Sequence, residues 1–511
     1  MSSTLWLIDR SRVADGRGFC LHSRVLNYHI GPHGYGIQMK GTRFPLATGT
    51  AYHAALATVL AWCQDHLQSP EDTESHLLNS PCVPSIVVRG AIQEAQSAYY
   101  QQVAARGFAY MADQPAIQEL LTEQNYLIEG LTWAWVLEVL PECLRRGRIL
   151  EVEHDDTYVF GCTCGLSDGV GSKADHEARD CQGIGWMCKP DFLLETWETR
   201  ELEYHEFKGT GQDGPSFRDK WEVMIQMFAA TLDAERRYGK SIQSIYVHGL
   251  LKGKRQQEYN QETGKYDSGP DRQNSIFTYA YRKPANPPME REEWAAQYQW
   301  QELDEKSGQV VNRRLGKAWR KAPVWELPDS VLLTGDGGPD PAVQTKAEYW
   351  VKWLPSEVRR KQLVLLGPYS RQEIMVPGFL EECQGEEGRI QQGLWELYEL
   401  GQTITNEAYP GGFPEIADMA QIWWEVVWPD PRFQSLLQRH FPRSYECRRF
   451  GLKYPCQFED MCFKREGWDQ PLASGKYLLR RPHHQPELLQ MQERGIPVPD
   501  EGTGVTSEEL E

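Results

Sequence analysis

The chain has 511 residues, 40% of them hydrophobic, enough to bury a large core and to divide into roughly two to four domains. Its 54 lysines and arginines against 72 aspartates and glutamates leave a net charge of −18. That excludes a surface coated with phosphate-binding lysines, though not a local basic channel acting over about a Debye length.

No apolar run approaches a membrane span, and Met1-Ser-Ser-Thr-Leu-Trp-Leu-Ile-Asp9 lacks the basic opening and apolar centre of a leader. We expect a cytoplasmic protein with no membrane partner. Twelve cysteines, several of them clustered, read as reduced thiols and metal ligands rather than a disulfide scaffold.

The N-terminal stretch Gly18 to Tyr28 leads through a glycine-studded turn at Gly36 to Pro45–His53, which opens an apolar helical run to about Trp62. Taken alone, Cys20 fits a small buried residue and His53 a core histidine. Helical patterns run from about 84 to 106 and 114 to 146, with Trp133, Trp135 and Leu137 close enough for a mostly buried second helix. Arg148–His154 then alternates as a strand, and Thr157–Gly161 reads as its hairpin partner. Glu151 or Glu153 would face either a metal or water.

Next come Cys162-x-Cys164, His176 and Cys181 in a polar, glycine-rich loop. Four soft ligands closing a loop without a core suit tetrahedral zinc, against an ordinary loop with free thiols. Cys188, on the following strand, fits that set least. Gly165–Lys173 lacks Gly-Lys-Ser/Thr in register, which excludes a phosphate loop.

Gly185–Glu195 and Glu201–Lys208 read as neighbouring strands joined by a hairpin-sized linker, Thr196–Arg200. Glu206 and Lys208, two apart, share a face, and Phe207 points away. Pairing of the two strands would set Asp191 beside Glu206, converging two carboxylates and an ammonium. Such a group suits magnesium, with a lysine to orient or deprotonate a water. The alternative is a solvated hairpin with surface charges. An amphipathic helix over Phe217–Glu235, a core strand at Ser244–Leu250 and an edge strand at Ser275–Tyr281 complete the order expected of a small mixed α/β sheet flanked by helices.

Residues 284–442 give a charged helical stretch, a Gly/Pro-rich loop at Asp336–Pro341 and Trp-rich helices near Trp423, Trp424 and Trp428. Cys447-x8-Cys456-x5-Cys462 follows, one ligand short of a four-coordinate site. The tail is polar and acidic, predicting disorder. Lys252–Arg255 and Arg313–Lys321 are the candidates for a basic channel or for solvated faces.

Pro190-Asp191 followed by Glu206-Phe207-Lys208 resembles the PD-(D/E)XK nuclease signature. With Cys20, Gly49-x3-His53, Gln226 and the three late cysteines in order, the chain resembles the RecB-like and AddB-like nucleases over about 16–60, 148–282 and 445–465. The tyrosine that the family places four residues after its glutamine is Ala230 here, and the family's Cys-x2-Cys is replaced by the longer gap.

The resemblance implies a restriction-endonuclease-like α/β core with helical insertions. It also implies a metal-dependent DNA nuclease, expected to be an exonuclease, in DNA repair, recombination or mobile-element processing. His53, Asp191, Glu206 and the Phe207 carbonyl would hold Mg²⁺ or Mn²⁺, with Lys208 and Gln226 catalytic. Cys20, Cys447, Cys456 and Cys462 would bind a 4Fe–4S cluster tying the termini together, with zinc on the same thiols as the alternative. The partners would be single-stranded or duplex DNA ends and a separate helicase or recombinase. The competing reading is an inactive, metal-stapled DNA-binding or scaffold protein.

The expected organisation is 1–66, the first part of the nuclease domain; 67–147, a helical insertion; 148–283, the core; 284–442, mainly helical; 443–480, cluster-closing; and 481–511, a disordered tail.

Overall fold

The computed structural model describes residues 5–14, 20–31, 34–39, 44–79, 81–103, 115–210, 215–218, 225–252, 258–260, 265–267, 299–304, 309–314, 348, 351–352, 356–371, 378–411 and 422–444. Toward the C-terminus it describes 456, 458, 461–462, 471–472, 474, 477–480, 482, 484–493 and 495–496.

From the N-terminus come β1 (Trp6–Ile8), α1 (Arg10–Ala14), α2 (Leu21–Tyr28), β2 (Ile37–Met39) and the long α3 (Phe44–His66). Then follow α4 (Pro70–Leu77), α5 (Ser85–Val103), α6 (Pro115–Glu138) and α7 (Leu140–Arg146). Next are β3 (Gly147–Val152), β4 (Asp156–Phe160), α8 (Lys173–Glu177), β5 (Ile184–Cys188), β6 (Phe192–Thr196) and β7 (Leu202–Thr210). α9 (Pro215–Arg218), α10 (Ile225–Tyr238) and β8 (Ile242–Leu251) follow. Two small hairpins pair β9 (Glu258–Asn260) with β10 (Lys265–Asp267), and β11 (Gln299–Asp304) with β12 (Gln309–Arg314). The last elements are α11 (Ser356–Arg360), β13 (Leu363–Tyr369), α12 (Phe379–Ala408), a π-helical turn (Trp423–Val427), α13 (Pro431–His440), β14 (Tyr477–Leu479) and α14 (Gln485–Glu493).

The fold is mixed α/β. Its central sheet runs β13-β8-β7-β6-β3, with β7 and β8 parallel and the other neighbours antiparallel. Period-two alternation gives this sheet two apolar faces. Phe192, Leu194 and Phe207 join the core built by α3, α5, α6 and α7, where Trp133 and Trp135 are fully buried. Leu193, Leu202, Tyr204, Ile245 and Val247 turn the other way, against Met227, Phe228 and Ala234 of α10. A third core joins α2 to α12, the π-helical turn, α13 and Phe458, Met461 and Tyr477.

A second sheet, β1-β5-β4, pairs β1 with β5 in parallel and β4 with β5 antiparallel. Since β3 pairs with β6 and β4 with β5, these four strands form one long antiparallel ribbon bent between two sheets. This corrects two expectations. Thr157–Gly161 is not the partner of Arg148–His154, because the chain turns at Glu153 (φ 47°) and β4 leaves for the second sheet. Gly185–Glu195 is likewise two strands, broken at Lys189-Pro190-Asp191, and Cys188 belongs to the second sheet. Both crossings lie side by side, tied by the Glu153 amide donating to the Asp191 carbonyl at 3.0 Å.

β8 forms where Ser244–Leu250 predicted a strand. Ser275–Tyr281 lies outside the described residues, and β13 stands at the described edge of the sheet instead. The expected disorder after 481 does not hold for α14, whose Glu487 is buried against Arg12 and Arg480. β14 pairs antiparallel with β2, joining an early and a late segment of the chain. No helix among the described residues is long and apolar enough to cross a membrane.

Candidate functional site

The bend of the ribbon gathers acids. One ligand atom from each of His53, Glu153 and Asp191 lies within 4.8 Å of the others. His53 comes from α3 and meets Asp191 Oδ1 through Nδ1 at 3.1 Å. Asp191 Oδ2 accepts the Phe207 amide, so Phe207 reaches this group through its N–H, where the family resemblance implied its carbonyl. Glu153 is held by its left-handed backbone and by an ion pair with Lys189. Positive φ at a non-glycine residue is uncommon and clusters at functional sites.

On β7, Lys208 Nζ is 2.6 Å from Glu206 Oε1, and the Tyr204 hydroxyl donates to Glu206 Oε2 at 2.6 Å. The same-face relation of positions 204, 206 and 208 produces this row. Burial pushes the Asp191 carboxyl up, but His53, Lys208 and the Phe207 amide outweigh it and hold its pKa below the ordinary value. Burial, reinforced by the charge of Asp191, raises Glu206 in spite of Lys208. Two neighbouring carboxyls pushed apart in this way can divide proton-holding from cation-holding work. Gln226 lies in α10, but its side chain is outside the described residues.

Glu151, weighed in the sequence as an alternative to Glu153, faces elsewhere, taking Arg237 at 2.8 Å and the Tyr238 hydroxyl at 2.6 Å. Two further residues lie near the site, Tyr52, which carried no sequence signal, and Lys252, the first residue of the basic stretch weighed as a channel. Tyr52 lies beside His53 with ring centroids 4.9 Å apart and the rings tilted by 37°, and Lys252 lies at the end of β8, where burial lowers its pKa to about 8.

Cys143, His205 and His248 also cluster within 4.8 Å, fully buried on the other face of β7. Their geometry reads as a structural network. The Trp135 indole donates to His248 Nδ1 at 3.3 Å, so His248 Nε2 carries the proton and donates to His205 Nδ1 at 2.8 Å. His205 Nε2 then donates to Glu203 at 3.2 Å. Every ring nitrogen is occupied, and burial holds both imidazoles neutral by pushing their pKa values well down.

At the tip of the ribbon, Cys162, Cys164, His176 and Cys181 converge within 4.8 Å, a buried Cys/His group that could hold a metal. His176 Nε2 is 2.8 Å from the Val170 carbonyl, which can only accept, so that nitrogen carries the proton. Nδ1 thus turns its lone pair to Cys164 at 3.3 Å and Cys162 at 3.5 Å. A backbone carbonyl fixing the tautomer of a liganding imidazole is the usual support of a metal-binding histidine. A capping box between Ser172 and Asp175 starts α8 and so presents His176. Cys188, the poorest candidate in the sequence, is not in this group.

The late cysteines are placed in part. The Ser444 amide donates to Cys20 Sγ at 3.3 Å, and Cys456 Sγ is 3.8 Å from Ser23 Oγ in α2, the helix that starts after Cys20. Cys456 and Cys462 pack against the same core as Leu21. Cys447 lies outside the described residues, as do Lys254 and Arg255.

No protein-family model matches the chain, and no curated protein matches it. The functional reading rests on its own residues.

Proposed function

We propose that the chain is a metal-dependent nuclease that hydrolyses phosphodiester bonds of DNA on a PD-(D/E)XK-type core. The observation that carries the reading is the meeting of His53, Glu153 and Asp191 within 4.8 Å at the ribbon bend, beside the Glu206–Lys208 pair of β7. Two carboxylates and one imidazole fit Mg²⁺ or Mn²⁺, which keep waters in their remaining positions. When bound, such a cation supplies the Lewis acidity for attack on phosphorus.

The protein's own residues do the rest. Asp191 stays ionised and is oriented by His53 and the Phe207 amide. Glu206 orients the Lys208 ammonium, which sits where it can position a water or offset negative charge developing on the phosphate. Glu153 replaces Glu206 in the set of ligands expected from the resemblance, since Glu206 is engaged by Lys208 and Tyr204.

Within the same proposal, Cys162, Cys164, His176 and Cys181 hold structural Zn²⁺, because soft thiolates with one imidazole suit it. Cys20, Cys456 and Cys462, with Cys447, form the four-thiolate site of an iron–sulfur cluster, a reading supported by the approach of Cys456 to the helix that follows Cys20.

The test is a nuclease assay on 5′- and 3′-labelled single and double strands with Mg²⁺, Mn²⁺ or EDTA. Metal-dependent cleavage is expected, and none in either metal would overturn the activity. A catalytically inactive DNA-binding protein is the second reading, favoured by the engagement of Lys208 with Glu206. It requires binding without cleavage in that assay.

A further inference from the structure

Beside Lys208, β7 continues to Gly209. A methyl group on its Cα would come within 2.5 Å of Tyr52 Oη and 2.8 Å of Lys252 Nζ, and one on Gly49 within 3.4 Å of the same Nζ. The bare backbone of Gly209 on β7 therefore lets a phenol and an ammonium pack over it side by side, with the ammonium also close to Gly49 of α3. Tyr52 is wholly buried, and its Oη has no hydrogen-bond partner. A buried polar atom left so is rare and needs an explanation. The Lys252 amide donates to the Thr210 carbonyl at 2.8 Å, fixing the end of β8 to the end of β7 and so the root of the lysine to the strand that carries Glu206 and Lys208.

Both groups are donors, and one is a cation. Their complement is an anion with several acceptor oxygens. The adjoining ring of Tyr52 is His53 of the metal-binding group, so the anion would lie one residue from it along α3. We propose that Tyr52 and Lys252 form a phosphate seat beside the cleavage site, gripping a phosphate next to the one attacked; this rests on the nuclease reading. The close packing of both groups over position 209 accounts for its lack of a side chain, and the seat gives the Tyr52 hydroxyl a partner. The gripped group is either an internal phosphodiester or a terminal phosphomonoester, since both present the same oxygens.

Binding of fluorescent single-stranded oligonucleotides, with and without a 5′ or 3′ phosphate, is measured by anisotropy in Ca²⁺ across a salt series. The wild type is compared with Lys252→Met, Tyr52→Phe and Gly209→Ala. Lys252→Met should weaken binding and make the slope of log K against log[salt] shallower by roughly 0.7, one phosphate contact on a single strand. Tyr52→Phe should weaken binding by roughly threefold to tenfold with the slope kept, as loss of a neutral donor does. It removes one oxygen and keeps the ring, so a folded variant is available even if Gly209→Ala is not.

A preference of the wild type for a phosphorylated end that vanishes in the variants assigns the seat to a terminal phosphate. The slope change without such a preference assigns it to an internal one. A wild type that binds and cuts, with Lys252→Met and Tyr52→Phe indistinguishable from it, overturns the seat alone. A wild type that binds no nucleic acid overturns the seat together with the reading beneath it.

Discussion

At the scale of single residues, the site sets two neighbouring carboxyls apart in acidity. Asp191 is kept ionised by its neighbours, whereas Glu206 is raised by burial. Asp191→Ala or Lys208→Ala should therefore lower metal-dependent cleavage by about 10²-fold or more, with DNA binding largely kept. Equal rates in variant and wild type, measured on labelled oligonucleotides, would remove both from the mechanism. Glu153→Gln should raise the Mn²⁺ concentration needed for half-maximal cleavage, because it withdraws one charged ligand from the trio. An unchanged metal requirement would return the role to Glu206.

These residues were unequally legible. Asp191, Glu206 and Lys208 were singled out by their strand spacing, and His53 lies in a strongly apolar helix. Glu153 was a candidate only, because a strand carboxylate seen in sequence does not reveal the positive φ that turns it inward. Tyr52 gave no signal, because nothing local distinguishes a buried tyrosine with an unpaired hydroxyl from any other core aromatic.

At the scale of elements, the bent ribbon is the unit that matters. Its stem contributes to the central sheet, its bend carries Glu153 and Asp191, and its tip holds the Cys/His group. Alternation along β3 and the apolar runs that became β4, β5 and β6 were readable as strand, but such a pattern states that a segment is a strand and not which sheet receives it. The one local sign of the break was Pro190, which cannot continue a ladder as a donor. β13 escaped because Leu363–Tyr369 is a short apolar run containing Gly-Pro, a pattern shared by buried loops and helix ends. The Cys/His group was readable as ligand types, and the structure adds their convergence. If zinc sits there, purified protein should carry about one equivalent that survives mild chelation, and Cys164→Ser should release it. Metal analysis by mass spectrometry finding none would leave the tip without a metal role.

At the scale of the whole molecule, stability should depend on pH through buried neutral rings. His29, His205 and His248 are pushed well below their ordinary value by burial, and His22 to about 4. The unfolded chain takes up these protons near pH 6.5 whereas the fold refuses them. Their contribution is thus complete above about pH 6.5 and is lost as the pH falls toward the lowered folded values. Thermal melts should drop between about pH 7 and 5, and His248→Gln should flatten that slope by up to about 1.4 kcal/mol per pH unit. A slope equal to wild type would show that His248 is protonated in the fold.

An ion pair that ties the N-terminal elements to α12 is buried too. Arg24, wholly inaccessible, is paired with Glu387 through contacts of 2.8 and 2.5 Å, and the Trp6 indole donates to the same carboxylate at 2.9 Å. Glu387→Ala leaves a buried guanidinium alone and should destabilise by about 3–5 kcal/mol in denaturant unfolding, whereas replacing both partners with apolar residues should cost far less.

The pairing of β14 with β2 also determines how the molecule would respond to being pulled. Leu479 faces Ile37, and the strands run antiparallel, so the incoming and outgoing ends of the chain leave this pair on the same side. Tension on the two termini would peel its hydrogen bonds one after another instead of shearing them together. The Arg12–Glu487 contact, nearer to both ends, would bear the load first. The ribbon bend with its acids lies behind that latch. Under mild force the protein should lose this closure in a separate low-force step while the group of His53, Glu153 and Asp191 stays assembled.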